Sequence, residues 1–135
     1  MALELKQKEI EGIQILSLKG RLTVGPEATI LRERLREMAE AGQVKVILDL
    51  KQVDYIDSTG LGGLVICFTT LRKAGGALKL LSLNKRNIEL LLLTKLTTVF
   101  ELFADEQDAV NSFFPGREIS KFDILSFIES GGRER

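Results

Sequence analysis

The chain has 135 residues, with 19 Lys plus Arg against 19 Asp plus Glu, no histidine, one cysteine and no tryptophan. Without histidine there is no Ser-His-Asp or Cys-His relay and the commonest metal ligand is missing, and the lone Cys67 cannot close an intramolecular disulfide or a CxxC knuckle. A net charge of zero supplies no general attraction for nucleic acid or anionic lipid, so a specific protein partner is the better expectation.

An apolar share of 44% in a chain of this length suits one globular domain with a real core. No apolar run reaches the roughly 20 residues needed to span a bilayer, and the first residues lack a secretory pattern, so a soluble, cytoplasmic domain is expected. Leu3, Leu5 and Ile10, then Glu11-Gly12, then Ile13, Ile15, Leu16 and Leu18 read as two strands joined by a tight turn. Pro26 opens a helix whose Ile30, Leu31, Leu35, Met38 and Ala39 recur at helical spacing up to Ala41, where Gly42 supplies a left-handed stop. Its mixed-sign face, from Arg32 to Glu40, is solvated. The run Val44 to Leu50 is almost continuously apolar, as a strand covered on both faces requires, and belongs at the centre of a sheet.

Asp57-Ser58-Thr59-Gly60 starts a second helix with Leu61, Leu64, Val65, Phe68 and Leu71 on one side, ended by Gly75-Gly76. Ala77 to Leu83 is a further buried strand. A third helix spans Lys85 to Thr94, an extended piece covers Val99 to Leu102, and Asp105 caps a fourth helix reaching Pro115-Gly116. The order ββαβαβα(β)α predicts an α/β domain over residues 1–115, with a mixed, mostly parallel sheet, an N-terminal hairpin and about four helices. Residues 116–135 form a C-terminal extension. Its Ile119, Phe122, Ile124, Leu125, Phe127 and Ile128 fit a short amphipathic helix that either folds back on the domain or mediates a homodimer.

The segment Val53 to Gly63 joins the central strand to a helix, at the sheet edge where open α/β folds bind ligands and partners. Ser58 and Thr59 stand at or beside the helix N-cap, where the first backbone N–H groups lack helical acceptors. Gly60, Gly62 and Gly63 allow close approach of a backbone or a phosphate, or tight packing of helix on sheet. A dinucleotide fingerprint would need glycine at Val65, and neither a Walker loop nor a GxSxG elbow is present. Ser58 has no histidine base, and Lys51 lacks the SxxK spacing, so catalytic residues, metals and cofactors are not expected. From the residues alone, Ser58 reads as a structural helix cap. Cys67, between Leu64 and Phe68, reads as a buried thiol. Leu90 to Leu93 cannot all face inward, so at least one is exposed. Lys85 and Arg86 are read as a solvated pair, and Tyr55 and Leu61 flank Ser58 as either rim or core.

The run Val46-Ile47-Leu48-Asp49-Leu50, then Val53, then Ile56-Asp57-Ser58-Thr59-Gly60-Leu61-Gly62 resembles the signature of STAS domains, specifically the bacterial anti-sigma factor antagonists. Gly20-Arg21-Leu22, Gly75-Gly76 before Leu78, and Leu91 to Leu96 before Phe100 fall at that family's other landmarks, so the likeness covers Leu3 to Phe114. It implies a STAS-like fold and an antagonist that binds an anti-sigma factor serine kinase, freeing the sigma factor. It also implies that the kinase switches the antagonist off by phosphorylating Ser58, with Thr59 as a second candidate, and that a PP2C-type phosphatase resets it. Asp57, Ser58, Thr59, Gly60, Leu61, Gly62 and Thr23 are the expected partner-binding residues. Two positions depart from the pattern. Thr23 stands where members often carry an acidic residue, and Lys95 stands where a helix-ending glycine is common, so a different turn is expected there. The alternatives are a STAS module used constitutively in a lipid transporter or stress-signalling assembly, and a nucleotide-binding protein using the glycine loop.

Overall fold

The computed structural model describes residues 3–120 and 122–129. Strands β1 (Glu4–Ile10) and β2 (Ile13–Leu22) form an antiparallel hairpin, and β3 (Lys45–Ile56), β4 (Ala77–Leu81) and β5 (Leu102–Phe103) add in parallel, giving the order β1-β2-β3-β4-β5. The central position expected for the apolar run is therefore occupied by β3. Its Val46, Leu48 and Leu50 enter the main core and Ile47 enters a second one, because successive side chains leave opposite faces of the sheet.

Helices α1 (Pro26–Glu40), α2 (Ser58–Lys73) and α3 (Lys85–Leu93) contribute Leu31, Leu35, Leu64, Leu71, Ile88 and Leu91 to the main core. The short α4 (Glu106–Asn111) brings Ala109 and Val110 to the opposite face, over Ile13, Ile15, Ile47, Leu81 and Phe103. Lys79 lies buried on that face. Its ammonium donates to the Ser112 hydroxyl at 2.8 Å, pairs with Glu101 at 3.4 Å and sits 4.3 Å from the Phe113 ring centroid, which together offset the cost of desolvating it. Cys67 is buried, and burial pushes its thiol pKa up to about 12, so it is neutral and unreactive at physiological pH.

Several boundaries differ from the sequence reading. β3 runs on to Ile56 rather than ending near Leu50, because β2 offers ten residues of ladder and two register irregularities, between Ser17 and Lys19 and between Gly20 and Arg21, keep the strands paired. The extended piece expected at Val99 is displaced to β5, since Leu96–Thr98 winds into a single 3-10 turn and Phe100 is buried. Lys95 keeps the left-handed geometry that was not expected of a lysine (φ 63°); a residue with a Cβ holds it at some conformational cost. Leu93 is the leucine of the third helix left in solvent, 82% exposed.

Beyond α4 the chain returns along the domain. Arg117 donates to Glu11 at 2.8 Å and stacks on Phe114, Ile119 packs on the second core, and Phe122, Ile124 and Phe127 pack on the first. The helix α5 (Ile124–Glu129) ends this segment, with Leu125 exposed. These side chains pack back on the domain. Residues 130–135 and the side chain of Ile128 lie outside the described residues.

Candidate functional site

The site is built where β3 passes into α2. Asp57, not Ser58, is the N-cap: it has extended backbone geometry, and its Oδ1 accepts from the Gly60 N–H at 2.8 Å. Its other oxygen, Oδ2, accepts from the Val24 N–H at 2.9 Å, and its own N–H donates to the Leu22 carbonyl at 3.2 Å. One carboxylate therefore joins the start of α2 to the connection between β2 and α1. Partial burial pushes the Asp57 carboxyl up, but the backbone donors at Gly60, Val24 and Thr59 outweigh it and hold the group below its usual range.

Gly60 completes the junction. A Cβ there would stand 2.0 Å from the Leu22 carbonyl oxygen, so the helix can approach β2 this closely only without a side chain. Gly62 and Gly63 would meet nothing within 4 Å. Of the glycine roles considered from sequence, tight packing is realised at Gly60 alone.

Because the cap is made by Asp57, the two hydroxyl residues are free of it. Ser58 and Thr59 are exposed at the first turn of α2, and among the described residues neither makes a side-chain hydrogen bond. This corrects the helix-cap role expected for Ser58. Gly62 is exposed one turn further on, Thr23 is half-buried, and Gly60 and Leu61 are buried, so Leu61 belongs to the core rather than to the rim around Ser58. Tyr55 is 40% exposed, with the Arg86 guanidinium 5.1 Å from its ring centroid. Sequence reasoning missed Val24, whose contribution is a backbone N–H, and Asn84 and Asn87, whose side chains donate to the Asp54 and Val53 carbonyls and fix α3 to the end of β3. The available signal for the Asp57 cap was the aspartate itself, a preferred N-cap residue standing just before the helical run.

Loss of the Asp57 side chain leaves two N–H groups without acceptors. Asp57→Ala is expected to cost about 1 to 2 kcal/mol at neutral pH. The carboxyl pKa is lower in the folded chain, so its contribution is complete above the unfolded value and is lost as pH falls through the folded one. Urea midpoints of the two proteins should therefore be fully separated at pH 7 and draw together as pH falls below the ordinary carboxylate value of about 4; a separation that does not change with pH would show that the charge is not involved.

Among the described residues no group of three or more His, Cys, Asp or Glu side chains could hold a metal ion, and no helix is long and apolar enough to cross a membrane. What remains is an α/β domain presenting an exposed hydroxyl on a helix start that is tied to its neighbouring loop. A family model described as the STAS domain matches residues 4–109. An anti-sigma-B factor antagonist of Bacillus subtilis is 38% identical over 107 residues, which cover 79% of this chain and 94% of that protein. The chain belongs to the STAS-domain family, in its group of anti-sigma factor antagonists. The fold matches the solved structure of an anti-sigma factor antagonist from Mycobacterium paratuberculosis with a TM-score of 0.72 at 20% identity, covering 82% of this chain and 92% of that one. It also matches SpoIIAA, the Bacillus cell fate determinant, in its phosphorylated form, with a TM-score of 0.65 at 16% identity, covering 82% and 99%.

Proposed function

We propose that this protein is an anti-sigma factor antagonist switched by phosphorylation of Ser58. Unmodified, it binds an anti-sigma factor that is also a serine kinase, through Ser58, Thr59, Gly62, Thr23 and the backbone held by Asp57 and Gly60, and so frees the sigma factor. The kinase transfers the γ-phosphoryl group of ATP to the Ser58 oxygen, which loses its proton as ADP leaves, and the product dissociates until a PP2C-type phosphatase hydrolyses the phosphate off. The cycle runs in the cytoplasm, where sigma factors act.

The observation that carries this reading is the exposed, unengaged Ser58 hydroxyl beside a cap made by another residue. Phosphorylation adds a charge of about −1.5 to −2. At a helix start that charge is tolerated by the domain itself, because the helix dipole favours an anion there. At an interface it acts the other way, because docking must strip water from two adjacent anionic groups, the phosphate and the Asp57 carboxylate. The phosphorylated form of the structural neighbour SpoIIAA is consistent with a fold that accepts a phosphate.

The test is transfer of labelled phosphate from ATP by the anti-sigma factor, isolated by its binding to Ser58→Ala. Label is expected on the wild type and absent from Ser58→Ala, with Thr59→Ala labelled as wild type. Undiminished labelling of the Ser58→Ala, Thr59→Ala double variant would reject the switch, and unchanged partner binding by Ser58→Asp would favour a constitutive STAS module.

A further inference from the structure

We propose that Arg21, Tyr55 and Arg86 form a second docking element beside Ser58, fitted to an acidic surface of the anti-sigma factor; this rests on the reading above and deepens it. Arg21 on β2 is the register partner of Tyr55 on β3, and the next pair, Leu22 and Ile56, enters the core. Alternation along a strand therefore puts Arg21 and Tyr55 together on the other face, where both are exposed. Arg86, also exposed, reaches from the first turn of α3 and lays its guanidinium over the Tyr55 ring. The three residues come from three elements that cannot drift apart. Asn84 donates to the Asp54 carbonyl at 3.1 Å and Asn87 donates to the Val53 carbonyl at 3.2 Å, so the start of α3 is fastened to the strand that carries Tyr55. The same strand leads directly into Asp57 and Ser58.

The charges are placed against local electrostatics. Lys85 and Arg86 occupy the positive end of the α3 dipole, and no acidic residue shares that first turn. Among the described residues none of Arg21, Lys85 and Arg86 has a carboxylate within 4.0 Å, whereas Arg36 and Arg117 elsewhere on the surface are paired. In a chain of zero net charge this is a local basic excess, with Asp54 as the acidic group in the adjoining cleft. Stacking on tyrosine holds one guanidinium ready without occupying its donors, and Tyr and Arg are the residue types that concentrate binding energy at protein interfaces. An acidic protein surface is the complement that these groups lack within their own chain.

The experiment measures association and dissociation rates with the purified anti-sigma factor of the same organism, across a series of NaCl concentrations. Variants are Arg21→Glu with Arg86→Glu, the milder Arg21→Gln with Arg86→Gln, Tyr55→Ala, and Ser58→Asp for comparison, each checked for an unchanged thermal midpoint. Charge reversal is expected to weaken binding at least tenfold, chiefly through slower association, and to flatten the salt dependence of the association rate; neutralisation should do the same to a smaller degree. Wild-type rates and salt slope in both pairs of variants, with binding still lost in Ser58→Asp, would overturn the docking element and leave the phosphorylation switch standing. No binding by the wild type would overturn both.

Discussion

Gly60→Ala is expected to destabilise the domain by about 2 kcal/mol or more and to abolish partner binding, while Gly62→Ala, two residues along the same helix, is expected to stabilise it by about 0.5 to 1 kcal/mol. Intrinsic propensity favours alanine at both helical positions by similar amounts, so it cannot separate them. Contact does. At Gly60 the new Cβ would stand 2.0 Å from the Leu22 carbonyl oxygen, and that neighbour is strand backbone rather than the end of a flexible side chain. Either β2 or the start of α2 must move, and both carry the hydrogen bonds that hold Asp57 and Val24 together. At Gly62 the Cβ meets nothing within 4 Å. Urea denaturation of both variants decides the matter; a Gly60→Ala protein as stable as the wild type would mean that α2 does not lie this close to β2.

Ser58→Asp is expected to weaken binding to the anti-sigma factor about 100-fold, equivalent to about 2.7 kcal/mol, without lowering stability. The two effects separate because Ser58 is exposed and makes no bond that folding needs, and a negative side chain in the first turn of a helix is favourable by about 0.3 to 1 kcal/mol. The same charge at a desolvated interface beside Asp57 is unfavourable. Calorimetric titration should show the loss of affinity, partly restored at high salt because screening weakens repulsion. Thermal melting should place Ser58→Asp level with or slightly above the wild type. A variant that loses binding and stability together would indicate that Ser58 matters to the fold and not to the interface.

Most of the architecture was legible from local pattern. Alternation in β1 and β2, the double-sided apolar run of β3, and the glycines after each of the first two helices placed the main elements within a few residues, because periodicity and left-handed stops are properties of short segments. The failures have a different origin. The length of β3 depends on how far β2 accompanies it, the position of β5 depends on the burial of Phe100, and the left-handed Lys95 joins the end of α3 to the 3-10 turn, its N–H donating to the Leu92 carbonyl and its carbonyl accepting from the Thr98 hydroxyl.

The same division runs through the candidate site. Sequence alone determined that the chain has no histidine, no disulfide and no charge excess, and that its distinctive segment, Asp57-Ser58-Thr59-Gly60, opens a helix after a buried strand. It did not determine which of those residues serves the helix and which is left over. That depends on Val24 and Leu22, which are remote in sequence and reach Asp57 and Gly60 only when β2 lies beside β3. A carboxylate with two oxygens can cap the helix and hold the loop at once, which a single hydroxyl cannot do, and so Asp57 takes the structural work and Ser58 stays exposed. Local chemistry supplied the candidates, and the long-range contacts of the folded sheet decided between them.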